Sequence, residues 1–171
     1  MTKELGDVQR CLGRNTAFAL ALVSTKTNVL TVAMVHYFAF DPPTVGVGIH
    51  KDRFSHDLLR AEGCYVINLP TNRDAALLNA CGALSGRDGD KFEAIGLTAV
   101  PATQIDSSLI DECPVNIECR VMREIDVGER TWFLAEVVAV HEAEDWDPAR
   151  AMIYGGGCFR AVGPVVGRRG G

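Results

Sequence analysis

A chain of 171 residues with 47% apolar and 23% charged side chains has the material for one domain with a buried core. Its net charge of −5 argues against a broad basic face for nucleic acid, and no apolar run approaches the roughly 18 residues of a membrane span. The six cysteines, Cys11, Cys64, Cys81, Cys113, Cys119 and Cys158, include no CxxC pair for zinc or thioredoxin-like chemistry. With no signal peptide legible at the N-terminus, the expectation is a cytoplasmic protein whose thiols are free and mostly buried.

Short β-branched runs punctuated by Gly, Pro and Asn dominate the chain, which is a strand signature. Thr16–Ser24 and Asn28–Val35 read as strands joined by a tight hairpin across Thr25–Thr27. Pro42 and Pro43 set the edge of a strand over Thr44–Ile49. Ser55 can cap a helix over His56–Glu62 that Gly63 ends, with Phe54 and Leu59 at the positions of a hydrophobic staple. Cys64–Leu69 is the next strand, followed by an expected helix over Arg73–Cys81 behind Asn72 and a brief one over Asp90–Ala94 before Gly96. Val115, Ile117, Cys119 and Val121 alternate with Asn116, Glu118 and Arg120, the pattern of a half-buried antiparallel strand. Asp126–Glu129 turns the chain, and Thr131–His141 returns. Successive strands with short helical insertions predict a mainly β, antiparallel barrel rather than a layered α/β sheet.

Several chemistries lack their residues. VGVGIHKD, from Val45, has no third glycine opening a long helix, and YGGGCFR, from Tyr154, has no Gly-Lys-Ser/Thr ending, so neither dinucleotide fingerprint nor P-loop is present. There is no GxSxG and no recognisable triad order. His36, His50, His56 and His141 show no metal-ligand spacing and read singly as surface or packing histidines.

Anion binding remains. HKDRFS, His50–Ser55, brings Lys51, Arg53 and a hydroxyl to a helix N-terminus, where free N–H groups and the dipole favour a phosphate. The same run is compatible with a solvated charged turn in which Ser55 is a plain cap. SGRDGDK, Ser85–Lys91, is a second cationic loop that alone reads as a surface turn. Two such loops in an acidic protein carry more weight together. NVLT, Asn28–Thr31, either presents polar groups to a flat heteroaromatic ligand or is a hairpin Asn followed by a strand Thr.

Taken in order, NVLT, Pro42-Pro43 before Thr44–Ile49, KDRFS, CYVINLP, SGRDGDKF, ECPVNIECRV, FLAEVVAV and YGGGCF resemble the flavin reductase-like family of FMN-binding split-barrel proteins. The likeness covers roughly residues 15–162, and SGRDGDKF followed by PVNIEC is its most specific part. It implies a single domain, a split β-barrel of Greek-key topology with short peripheral helices, a homodimer, and FMN held without a covalent bond. It further implies that Asn28, Val29, Leu30 and Thr31 lie along the isoalloxazine, and that Arg53 and Ser55, with Lys51 close by, hold the phosphate. Lys91 would approach the cofactor, as would Tyr154 and Gly155. Met34 and His36 stand where some relatives place a tryptophan against the ring. Arg87 gains no support from the pattern and is expected at the surface. The implied activity is hydride transfer from NADH or NADPH to FMN and on to an acceptor, with the chemistry on the flavin rather than on an acid–base pair. The alternative is a flavoredoxin-like electron carrier serving a redox protein.

Overall fold

The computed structural model describes residues 17–168; Cys11, and Thr16 at the start of the first expected strand, lie outside them. In chain order the elements are β1 (Ala17–Ala19), β2 (Ala21–Ser24), β3 (Val29–Val32), β4 (Val35–Phe40), β5 (Pro43–His50), α1 (Phe54–Glu62), β6 (Cys64–Leu69), α2 (Ala75–Ala83) and α3 (Lys91–Ile95). There follow β7 (Ala99–Pro101), β8 (Ser108–Ile110), β9 (Val115–Val127), β10 (Arg130–Glu142), a 3-10 turn (Pro148–Arg150), β11 (Met152–Gly155) and β12 (Cys158–Ala161). A seven-stranded sheet runs β3-β2-β6-β9-β10-β5-β4, with smaller sheets β1-β11-β12 and β7-β8. Every pairing is antiparallel. The curled sheet with short peripheral helices is the mainly β split barrel that the sequence led one to expect.

The centre of the sheet is apolar on both faces, which is why β2 reads as a continuous run rather than an alternation. Ala21 and Val23 pack inside the barrel with Val47, Tyr65, Ile67 and Phe133. Leu20 and Leu22 face a second cluster with Leu78, Phe92 and Ile110, which α2 and α3 cover. Asn68 ties the layers together: its Nδ2 donates to Leu22 O at 3.0 Å and Ser24 Oγ at 2.8 Å, and its Oδ1 accepts from Ile110 N at 3.1 Å and Asn116 Nδ2 at 2.8 Å. Glu118, fully buried, fastens the β7–β8 hairpin to the sheet by accepting from Thr103 N, Thr103 Oγ1 and Gln104 N at 2.7–2.8 Å.

Several boundaries differ from the sequence expectation for tertiary reasons. Asn28–Val35 is not one strand, because β3 pairs with β2 while β4 crosses to β5. β9 continues past Val121 to Val127, since its polar end still pairs with β10 as far as Arg130. α1 begins at Phe54 with Arg53 at the cap position and no side-chain cap. Ser55 does not cap it, because its hydroxyl is taken by Asn28 Nδ2 at 2.7 Å, and Phe54 therefore leaves the staple position. α2 begins late, because Asp74 accepts from Thr71 N and Oγ1 at 2.6 and 2.8 Å and holds the preceding turn. Asp90 caps α3 by accepting from Phe92 N and Glu93 N at 2.8 and 3.3 Å, as its place in the sequence suggests. Among the described residues, no helix is long and apolar enough to cross a membrane. No group of three or more His, Cys, Asp or Glu among them could hold a metal.

Candidate functional site

A cavity of about 900 Å³ opens between β3, β5, the start of α1, the end of α2 and the 84–87 loop, within the usual range for small-molecule pockets. Leu30, Val32, Met34 and Ile49 give it an apolar wall, Phe18 and Tyr154 contribute aromatic rings, and Arg53, Arg87, Lys91 and Arg130 bring positive charge. Asp52 is the only carboxylate among its described lining residues.

Lys91 opens α3, and its side chain runs inward until it is only 4% exposed. Its Nζ donates to Cys81 O at 2.7 Å; an ammonium has three donors, and the other two have no partner among the described residues. Burial pushes the Lys91 pKa below its ordinary value, Cys81 opposes that shift, and the charge of Arg53 adds to it. Burial conversely pushes the Cys81 thiol up, against Lys91 and Thr31, which disfavours a reactive thiolate there.

One end of the cavity is built from the start of α1. Arg53 adopts extended backbone and supplies no side-chain cap; His56 N donates to Arg53 O at 2.9 Å, which leaves the N–H groups of Phe54 and Ser55, both cavity-lining residues, without a partner among the described residues. Ser55 accepts from Asn28 and so keeps its own hydroxyl proton for a ligand. The loop that follows α2 folds across Phe54: Arg87 N donates to Ser85 Oγ at 3.2 Å and Asp88 N to Ser85 O at 3.1 Å. Gly86 is required there, because a Cβ would fall 2.8 Å from the Phe54 ring and collide with Asn28 Oδ1. Arg87 then lies with its guanidinium 5.8 Å from the Phe54 centroid. It is exposed, as the sequence led one to expect, and lies at the lip of the cavity.

Leu30, Thr31, Met34, Arg53, Ser55, Lys91 and Tyr154 all line this one cavity. Five other residues named with them do not. Asn28 stands behind Ser55 and Gly86 as a buried support. Val29 is fully buried in the core cluster beneath α2. Lys51 turns away to Asp126 at 3.1 Å. Gly155 is buried in β11 opposite Ala17. His36 rides on β4 to a separate apolar groove lined with Phe38, Ile125, Val127, Trp132 and Leu134. Sequence reasoning missed Phe18, His50, Cys81 and Arg130. Arg130 reaches the cavity only because β10 sets it opposite His50, a pairing with no local signal.

A family model described as Flavin reductase like domain matches residues 12–163. An uncharacterized protein of Archaeoglobus fulgidus is 35% identical over 115 residues, which are 67% of this chain and 65% of that protein. This chain therefore spans just under two thirds of that relative's length. Flavoredoxin of Desulfovibrio vulgaris (Miyazaki F) has a similar structure, with a TM-score of 0.87, 24% identity, and coverage of 98% of this chain and 97% of that one. The NADH:FAD oxidoreductase of Streptomyces globisporus C-1027 gives a TM-score of 0.83 at 22% identity, over 96% of this chain and 100% of that one. At these identities the two structures speak to the fold, and they agree with the split barrel described above. The family match reaches from before β1 to beyond β12 and takes in every segment that lines the cavity: the chain belongs to the flavin reductase like domain family.

Proposed function

We infer that the protein binds FMN non-covalently and acts as a flavin oxidoreductase, taking hydride from NADH or NADPH and passing the electrons to an acceptor. The observation that carries this reading is one cavity that joins an apolar wall to an uncapped helix N-terminus, Arg53 and the buried Lys91, with no nucleophile–base pair. That donor set fits FMN: a dianionic phosphate suits Arg53 and the α1 N–H groups, and a flat ring suits Leu30, Val32 and Met34.

When bound, FMN supplies the hydride-accepting chemistry that the side chains lack. The chain's own work is binding and orientation. Arg53 and the first turn of α1 neutralise the phosphate, and Ser55, braced by Asn28, donates its hydroxyl proton. Lys91 is aimed by the Cys81 carbonyl and keeps two N–H donors for the cofactor. The apolar wall excludes water from one face of the ring. The reading includes a homodimer. A flavoredoxin-like carrier is the second reading, favoured by the extent of the likeness to flavoredoxin.

The purified protein is expected to be yellow, or to become so on addition of FMN. A preparation that stays colourless and takes up no FMN overturns the flavin reading. Anaerobic mixing with NADH or NADPH separates the classes: rapid loss of flavin absorbance gives the reductase. Bleaching only by dithionite or a reduced redox protein gives the carrier.

A further inference from the structure

Lys51 and His56 bracket the run Asp52–Ser55, every residue of which lines the cavity, while neither of them does. Both are fastened to the β9–β10 hairpin instead. At one end Lys51 N donates to Glu129 O at 3.0 Å, and Lys51 Nζ lies 3.1 Å from Asp126 Oδ2. At the other end His56 Nε2 lies 2.9 Å from Thr131 Oγ1, which donates to Asp126 Oδ1 at 2.7 Å. One carboxylate thus receives both ends of the turn, each on its own oxygen.

The direction of these bonds follows from the donors present. A carboxylate only accepts and a hydroxyl has one proton. Thr131 spends that proton on Asp126, so its oxygen is an acceptor toward His56, and His56 carries a proton on Nε2. The ring's other nitrogen, Nδ1, faces Asp57 Oδ1 at 3.2 Å on the same helix, and the ring stands edge-on to Phe133 with centroids 5.5 Å apart. His56 and Thr131 are 4% and 0% exposed, so the link runs where water does not replace a lost partner. The backbone carries it onward: His56 N donates to Arg53 O at 2.9 Å, and Arg53 N to His50 O at 3.0 Å. A displacement of His56 therefore reaches Arg53 directly.

Building on the FMN reading above, we propose that His56 is a positioning residue that, through Thr131, Asp126 and Lys51, fixes Arg53 and Ser55 for the flavin phosphate. Anchoring a short turn at both ends reduces what must be ordered when the anion arrives. The link serves the phosphate end of the cavity and leaves the apolar wall at Leu30, Val32 and Met34 untouched. It also gives Lys51 a role other than direct phosphate contact, as the second anchor of the turn.

The test titrates wild type and four variants, His56→Leu, His56→Gln, Thr131→Val and Thr131→Ser, with FMN and with riboflavin, which has no phosphate. His56→Leu and Thr131→Val break the link and are expected to weaken FMN about 3- to 10-fold with riboflavin affinity unchanged. Thr131→Ser keeps the hydroxyl and His56→Gln keeps a terminal N–H donor, so both are expected to bind FMN as wild type does. In an Arg53→Ala background, His56→Leu is expected to cost less FMN affinity than it does in wild type, a coupling that packing alone does not produce. Nitrogen NMR of the histidine side chains is expected to find a proton on His56 Nε2. FMN affinity equal to wild type in His56→Leu and Thr131→Val overturns the proposal, and Thr131→Val, matched in shape, decides it alone where His56→Leu does not fold. Equal losses of FMN and riboflavin also overturn it, as do losses that simply add to that of Arg53→Ala or an Nε2 without a proton. Wild type that takes up neither flavin overturns the FMN reading itself, and shows it before any variant is made.

Discussion

Lys91 and Glu118 are both buried charges, 4% and 0% exposed, but Glu118 receives four hydrogen bonds whereas Lys91 makes one. Burial pushes the Glu118 carboxyl up, but donors from Thr103, His141 and Gln104 outweigh it and bring the pKa from its ordinary 4.5 to about 2. A carboxyl depressed on folding adds stability that is complete above its unfolded value and is lost as pH falls toward its folded value. Urea melts between pH 6 and pH 2 are thus expected to show up to about 3 kcal/mol of acid-labile stability from this group, and Glu118→Gln is expected to flatten that limb. Lys91 has no such compensation and is suited to a ligand rather than to the fold. Lys91→Met is expected to weaken FMN by about 1–3 kcal/mol while leaving the melting temperature of FMN-free protein unchanged or higher. Arg53→Ala is expected to weaken FMN over the same range but to affect riboflavin, which has no phosphate, far less. Fluorescence titrations with the two flavins check this.

Elements were legible where their limits are local. β6 matches its expected span Cys64–Leu69, because Gly63 in the left-handed region (φ 64°) ends α1 and Pro70 follows the strand. They were illegible where a distant partner decides. Ser55 has the chemistry of a cap but spends it on Asn28, and the end of β9 reads as polar but pairs with β10. The site followed the same rule. Arg53, Ser55 and Lys91 stand in loops that by local pattern alone read as solvated turns, and the family resemblance singled them out, whereas Arg130 and Phe18 reach the cavity only through strand pairing. The contact of the 84–87 loop with α1 gives a prediction at this scale. Gly86→Ala puts a Cβ 2.8 Å from Phe54, so loop and helix must part. It is expected to cost about 1–3 kcal/mol in denaturant melts and to weaken FMN. Gly163→Ala, where an added Cβ meets nothing within 4 Å, is expected to be neutral.

Across the whole molecule the acidic balance of −5 hides a segregation of charge: four cations from three separate segments meet at one cavity, and an apolar strip is left on another part of the sheet. β4 is the edge strand of the seven-stranded sheet, with Tyr37, Phe38 and Phe40 at 57%, 51% and 82% exposure. Phe38 stands edge-on to Trp132, with centroids 5.9 Å apart, at a groove of about 380 Å³. Clustered exposed aromatics on an open sheet edge are a liability for a monomer and ordinary at the core of a subunit interface. Covering this strip with its copy on a second chain buries both rows of rings around a two-fold axis. The full chain is therefore expected to show twice its sequence mass in size-exclusion chromatography with light scattering. Phe38→Asp, which sets a charge among those rings, is expected to give the single-chain mass at low micromolar concentration. Because Phe38 is half exposed in the single chain, the variant's far-UV circular dichroism should match wild type, separating a broken interface from a broken fold. A wild type that runs as a single chain at every concentration would rule the interface out.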